Sequence, residues 1–163
     1  MRPATLADAP AVTAIYNQGI ADRVGTFETE PRDVRDIEAW FPHAKAFVVV
    51  EDGAGGPVLG YAVAHPYADR CCYAGIGEFS VYVAREARGR GVGRAAMAAL
   101  NDASRKAGLW KLLSRVFPEN RANLNLMAWS GFSEIGVHRK HGKLDGVWRD
   151  CVIVEQVFPE NLD

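Results

Sequence analysis

The sequence predicts an α/β fold, a mixed central sheet flanked by helices. Three observations carry that prediction. Apolar spacing switches repeatedly between the two-residue period of a strand and the three-to-four-residue period of a helix. The resulting order, βααβββαβαββ, interleaves strands and helices along the chain. The 163 residues hold no linker, internal repeat or low-complexity tract, and this length suits one domain, residues 1–163, around one core.

The stretch "RPATLADAPAVTAIYNQGI" reads as a short strand followed by a helix. Thr5 or Asp8 can cap that helix, Pro10 fits its first turn, and Ala9, Val12, Ile15, Tyr16 and Ile20 form its apolar stripe. "PRDVRDIEAWF" predicts a second helix that stops before Pro42. "AFVVVEDGAGGPVLGYAVAHPY" is a hairpin whose Gly/Pro cluster makes the turn. A strand from Tyr73 to Val83 puts Phe79, Val81 and Val83 on one face, with Glu78, Ser80 and Tyr82 on the other. A helix from about Gly91 to Ala107 follows, striped by Val92, Ala96, Leu100, Ala103 and Ala107 and stopped by Gly108. "KLLSRVF" is a strand. Asn120 caps a helix running to about Ser130, and "FSEIGVHRK" and "GVWRDCVIVEQVF" are the last two strands. "RKHGK" reads as a hairpin turn with solvated charge.

Net charge is −1 and pI about 6.4, so nothing global favours nucleic acid or an anionic membrane; any anion site is local. No apolar run reaches the length of a membrane span, and the N-terminus lacks the basic and apolar regions of a signal peptide, so a cytoplasmic protein is expected. Cys71, Cys72 and Cys151 read as reduced thiols. No Cys/His ligand spacing appears, so no metal site is expected, and His43 and His65 read as structural. The four tryptophans are spread over different elements as core and interface anchors.

The distinctive local feature is Arg88-Gly89-Arg90-Gly91-Val92-Gly93, with Arg94 next, between a strand and a helix. Glycines remove each Cβ that would hinder close approach to the backbone. The helix start offers unpaired N–H groups and a positive dipole end, and the arginines add charge. Such a turn suits a phosphate or pyrophosphate. The spacing matches neither a Walker loop nor the dinucleotide fingerprint.

Arg88-x-x-Gly91-x-Gly93 after a V-Y-V strand resembles the acyl-CoA pyrophosphate loop of the GNAT N-acetyltransferases. The resemblance implies the GNAT (acyl-CoA N-acyltransferase) fold, acetyl-CoA as co-substrate and no metal. By it, Val81, Tyr82 and Val83 hold pantetheine through their backbone, Gly89 through Arg94 hold the pyrophosphate, and Asn120 contacts the pantetheine arm. Further segments, "IYNQGI", "GTFETEP", "DRCCYAGIGEFSVYV", "PENRANL", "SGF" and "HRKHGKLDGVWRD", resemble the phosphinothricin acetyltransferase branch in order along the chain. "NQGIADRVGTFETEPR" and "HRKHGKLDGVWRDCVIVE" are most similar to its arsinothricin-resistance N-acetyltransferases. The implied acceptor is the α-amino group of a glutamate-like amino acid or toxic analogue: phosphinothricin, arsinothricin or methionine sulfoximine. Such proteins are typically homodimers, with small-molecule partners and neither nucleic acid nor membrane.

The chemistry needs a base, since an ammonium must lose a proton before attacking a thioester. The resemblance gives that role to Glu78, which would act after burial had raised its pKa or through an ordered water. It gives His141 a second catalytic role, to orient or relay the proton. Arg70, in "DRCCY", matches a family arginine that can bind a phosphinate or carboxylate bidentately. Tyr73 adds a hydroxyl, Phe27 walls the pocket, and Ser80 shares the face of Glu78. The tyrosine or histidine that many members carry four residues before the glycine of the last helix is Met127 here, which cannot donate a proton. Two other readings stay open: a peptide or protein amine as acceptor, and a non-catalytic acyl-CoA sensor.

Overall fold

A computed structural model describes residues 1–162. Its strands are β1 (Arg2–Pro3), β2 (Ala46–Glu51), β3 (Val58–Pro66), β4 (Ile76–Val83), β5 (Lys111–Val116), β6 (Ser133–Leu144) and β7 (Val147–Val157). Its α-helices are α1 (Ala9–Asp22), α2 (Val34–Glu38), α3 (Val92–Lys106) and α4 (Arg121–Trp129). All seven strands join one mixed sheet in the order β1-β2-β3-β4-β5-β7-β6. The helical crossover through α3 makes β4 and β5 parallel, whereas the remaining neighbours pair antiparallel. The face of β4 bearing Tyr82 packs under α1, where Tyr16 meets the Tyr82 ring edge-on at 5.0 Å. The opposite face, with Val83, lies under α3 beside Gly93. Among the described residues, no helix is long and apolar enough to cross a membrane.

One irregularity of this sheet matters most. β4 pairs with β3 from Gly77 to Val83, but with β5 only from Ile76 to Glu78. β5 stays paired with β7 as far as Val116. The two parallel strands therefore fork after Glu78, and β4 from Phe79 to Val83 presents one edge without a strand partner.

Several elements differ from expectation, each for a local reason. The strand expected from Tyr73 begins at Ile76, because Cys71–Tyr73 closes a single tight turn in which the Tyr73 N–H donates to the Arg70 carbonyl at 2.9 Å. Asp8 occupies the N-cap of α1 without capping it. Its carboxylate turns back instead to accept from Nη1 and Nη2 of Arg2, each at 2.8 Å, and from the Thr5 N–H at 2.7 Å. "RKHGK" is not the hairpin turn. That turn is Asp145-Gly146, whose positive φ values of 48° and 79° suit a two-residue hairpin connection. "RKHGK" instead lies in β6, where the register to β7 shifts between His138 and Gly142 around a left-handed Lys140. This bulge re-aims the strand where His141 sits.

The Asp8 cluster sets a pH dependence. The Arg2 guanidinium, with help from Thr5, holds the buried Asp8 carboxyl down at about 2 from an ordinary 3.8. A depressed carboxylate stabilises the fold above its unfolded pKa and loses that contribution as pH falls through its folded one. Asp8→Asn is expected to cost about 2 kcal/mol at neutral pH. In urea melts the gap to the parent should shrink between pH 4 and about pH 2; a gap independent of pH would refute the assignment.

Candidate active site

The fork opens a groove of about 390 Å³. Val81, Tyr82 and Val83 wall one side along the unpaired edge of β4, and Asn120 and Leu126 stand opposite. Arg88, Gly89, Gly91, Val92 and Gly93 close one end. Gly89 and Gly91 hold positive φ values of 75° and 83°, which side chains rarely adopt, and a Cβ on either would meet nothing within 4 Å. Gly91 is the N-cap of α3 and makes no side-chain cap, so the N–H groups of the first helical turn remain open to an anion.

Arg88 faces this groove but is already tied down. It donates to the Val83 carbonyl at 3.2 Å and to Asp22 at 2.7 Å, while Arg85 takes the other oxygen of Asp22 at 2.6 Å. Arg85, then Arg88, hold the Asp22 carboxyl below its usual range. Two guanidiniums around one carboxylate leave the groove end with net positive charge. Arg90 and Arg94, expected beside the pyrophosphate, do not line the groove. Arg90 points toward Asp52 at 3.7 Å, and Arg94 lies 4.8 Å over the Trp129 ring.

Asn120 does what its capping sequence implies and more. Its Oδ1 accepts from the Asn123 N–H at 3.1 Å, and its Nδ2 donates across the groove to the Val24 carbonyl at 2.9 Å. The Tyr82 hydroxyl donates to the Gly25 carbonyl at 3.1 Å. Together these bonds pin the segment after α1 over the fork. Met127 is buried in the core and does not face the groove; Leu126 does. α4 thus presents no proton donor there.

A second cavity, of about 460 Å³, adjoins the groove and shares Ser80, Tyr82, Ser114 and Arg115 with it. Glu78, Phe27 and His141 line it. Phe27 packs edge-on against Phe117 at 4.9 Å and lies so close to Gly142 that a Cβ there would come within 2.8 Å of its ring. His141 stands 4.6 Å from the His138 ring. Arg70 and Tyr73 do not line this cavity within the chain: Arg70 is exposed, and Tyr73 packs edge-on against Tyr67 at 5.8 Å.

Other groups line the cavity without having been singled out from sequence. Arg32 grips Glu28 bidentately, at 2.7 and 2.9 Å. Burial pushes the Tyr16 hydroxyl up to about 12, so it remains a neutral donor at working pH. His65, expected to be structural, lines the cavity as the cross-strand partner of Glu78. Burial first, then the nearby charge of His43, lowers its pKa, which keeps it neutral near pH 7. About a third of the Glu78 side chain is exposed, short of the burial that the first of the two expected routes requires. Its carboxylate accepts from Arg115 at 2.9 Å. Only the pairing of strands joins Glu78 to His65 and Arg115; in the sequence nothing relates them. Among the described residues no group of three or more His, Cys, Asp or Glu is arranged to hold a metal.

Comparison with known proteins names the class to which this forked sheet and glycine-rich helix start belong. The profile of the Acetyltransferase (GNAT) family matches residues 13–132, and the chain belongs to that family. It is an N-acetyltransferase that uses acetyl-CoA. Among its relatives, the L-methionine sulfoximine/L-methionine sulfone acetyltransferase of Pseudomonas paraeruginosa is 31% identical over 95% of this chain and 92% of its own. The phosphinothricin N-acetyltransferase of Streptomyces coelicolor is also 31% identical, over 96% and 94%. A solved phosphinothricin acetyltransferase from Sinorhizobium meliloti, in complex with AcCoA, superposes with a TM-score of 0.88 at 27% identity, covering 98% of this chain and 88% of that one.

Proposed function

We propose that this enzyme acetylates the α-amino group of a glutamate-like amino acid or toxic analogue, such as phosphinothricin, methionine sulfoximine or arsinothricin, and so confers resistance to the toxin. The observation that carries this reading is the second cavity: it opens onto the groove at the fork, and Glu78 stands in its wall. The relatives named for phosphinothricin and methionine sulfoximine support the acceptor class. The edge of β4 from Val81 to Val83 would hold the pantetheine arm, the turn from Arg88 to Gly93 the pyrophosphate, and Asn120, on the facing side of the groove, would contact the pantetheine arm. Acetyl-CoA supplies an acetyl group activated as a thioester. Glu78 takes one proton from the acceptor ammonium; the freed amine bonds to the thioester carbonyl carbon, the adduct nitrogen gives up its second proton, by way of water, to the departing thiolate as the carbon–sulfur bond breaks, and Glu78 returns its proton to solvent. Ser80 and Phe27 shape the acceptor site, and His141 relays the proton. Holding amine and thioester together contributes much of the rate.

A thiol-release assay with acetyl-CoA tests this. Phosphinothricin, arsinothricin and methionine sulfoximine form one arm and a peptide bearing a free N-terminus and lysine the other. Release with at least one analogue and none with the peptide is expected; the reverse would reassign the acceptor to a protein amine.

The same reading includes a homodimer and a cytoplasmic location. Ile135, Val137, Val147 and Trp148 are each more than half exposed on the β6–β7 hairpin, where a second copy would cover them. Sedimentation should return twice the 17.8 kDa chain mass, and Val137→Glu should shift it toward one. A single-chain mass for the parent would remove the dimer.

A further inference from the structure

The acceptor cavity contains two guanidiniums, and they are not equivalent. Arg32 is occupied: two short bonds join its Nε and Nη2 to both oxygens of Glu28, and Asp36 lies 3.9 Å from its Nη1. Arg115 makes one bond among the described residues, from Nη2 to Glu78 Oε2. Its other N–H groups and the second oxygen of Glu78 are left over. A guanidinium carries five donors in a fixed fork suited to a carboxylate.

The position of Arg115 follows from the fork. Glu78 and Leu113 are the last paired residues of β4 and β5, and Arg115 lies two residues on, on the same face as Leu113. The ion pair therefore spans the mouth of the fork. Arg115 lines both the groove and the acceptor cavity, with about a third of its side chain exposed. Exposed and singly bonded, this pair is weak and open to exchange.

Resting on the acceptor class proposed above, we propose that Arg115 binds the α-carboxylate of the acceptor and that this carboxylate displaces Glu78 from it. In an α-amino acid a single carbon separates carboxylate from amine. A carboxylate forked onto Arg115 therefore sets the ammonium beside Glu78, which has just lost its partner. The acceptor thus exchanges one ion pair for two: its carboxylate with Arg115 and its ammonium with Glu78. No net charge is buried uncompensated, and Glu78 is free to take the proton only when a substrate with both groups is in place. Arg115 is the specificity residue for the α-carboxylate and the positioning residue for Glu78.

The test compares L-phosphinothricin with its decarboxylated analogue, aminopropyl(methyl)phosphinate, on the parent, Arg115→Gln and Arg115→Lys. Removing one partner of such a charge pair predicts a rise in KM for phosphinothricin of roughly 30–100-fold in Arg115→Gln. Arg115→Lys should recover part of it, and KM for the decarboxylated amine should change little in either variant. A fall in kcat alone with the preference for the carboxylate intact, or an equal loss of acetyl-CoA affinity, would overturn the proposal. Titration of phosphinothricin into the CoA-bound proteins separates the two claims. Binding that depends on Arg115 without turnover would remove only the acceptor reaction. Turnover with unchanged carboxylate preference would remove only the role of Arg115. No binding of the amino acid to the parent would remove both.

Discussion

Glu78→Gln lowers kcat/KM for acetyl transfer by about 10²–10⁴-fold, the usual range for loss of a positioned acid or base, and leaves acetyl-CoA affinity within about twofold of the parent. The amide keeps the shape and a hydrogen bond to Arg115 but cannot accept the ammonium proton. The affinity should hold because the groove meets β4 through the backbone beyond Glu78, from Phe79 to Val83. Steady-state kinetics and direct titration of acetyl-CoA read the two effects separately. Equal losses in both would mean that Glu78, through Arg115, chiefly keeps the fork in shape.

Gly19→Ala lowers the melting temperature by roughly 3–10 °C, from an overpacking cost of about 1–3 kcal/mol. A Cβ at Gly19 would fall 2.4 and 2.6 Å from Tyr82 Cε1 and Cδ1. The ring has little room to yield. It stacks on Tyr61 at 5.7 Å, meets Tyr16 edge-on at 5.0 Å, and its hydroxyl holds the Gly25 carbonyl. Because the Tyr82 backbone forms the groove edge, acetyl-CoA affinity should fall along with stability. Tyr82→Leu makes room, so the double variant should be more stable than the two single losses add up to. Strict additivity in the melts would show that the ring and Gly19 do not press on each other.

The site was partly legible in one dimension because several of its parts are local. A helix start, its glycines and the preceding strand are contiguous, so Arg88 through Gly93 could be read as one open turn at the start of α3. Asn120 was legible as a cap for the same reason. Arg90 and Arg94 show the limit of that locality. They sit among the glycines, yet Asp52 in the β2–β3 turn draws one away and the Trp129 ring in α4 the other. Arg70 stood out by its resemblance to a family motif, but within the chain it faces solvent. His141 was named from sequence, but its route into the cavity depends on a bulge at Lys140, and the charged run around it had read as a turn.

By itself the sequence determined what periodicity and short-range chemistry can specify: the succession of strands and helices, a glycine turn at a helix start, and a carboxylate one strand-face away from it. Tertiary structure alone decided where β4 and β5 part, which cations the second cavity keeps, and that Glu78 meets Arg115 from one neighbouring strand and His65 from the other. The reason is physical. Strand pairing joins residues tens of positions apart, and a guanidinium goes to whichever carboxylate the fold brings within reach, a choice that sequence spacing does not encode.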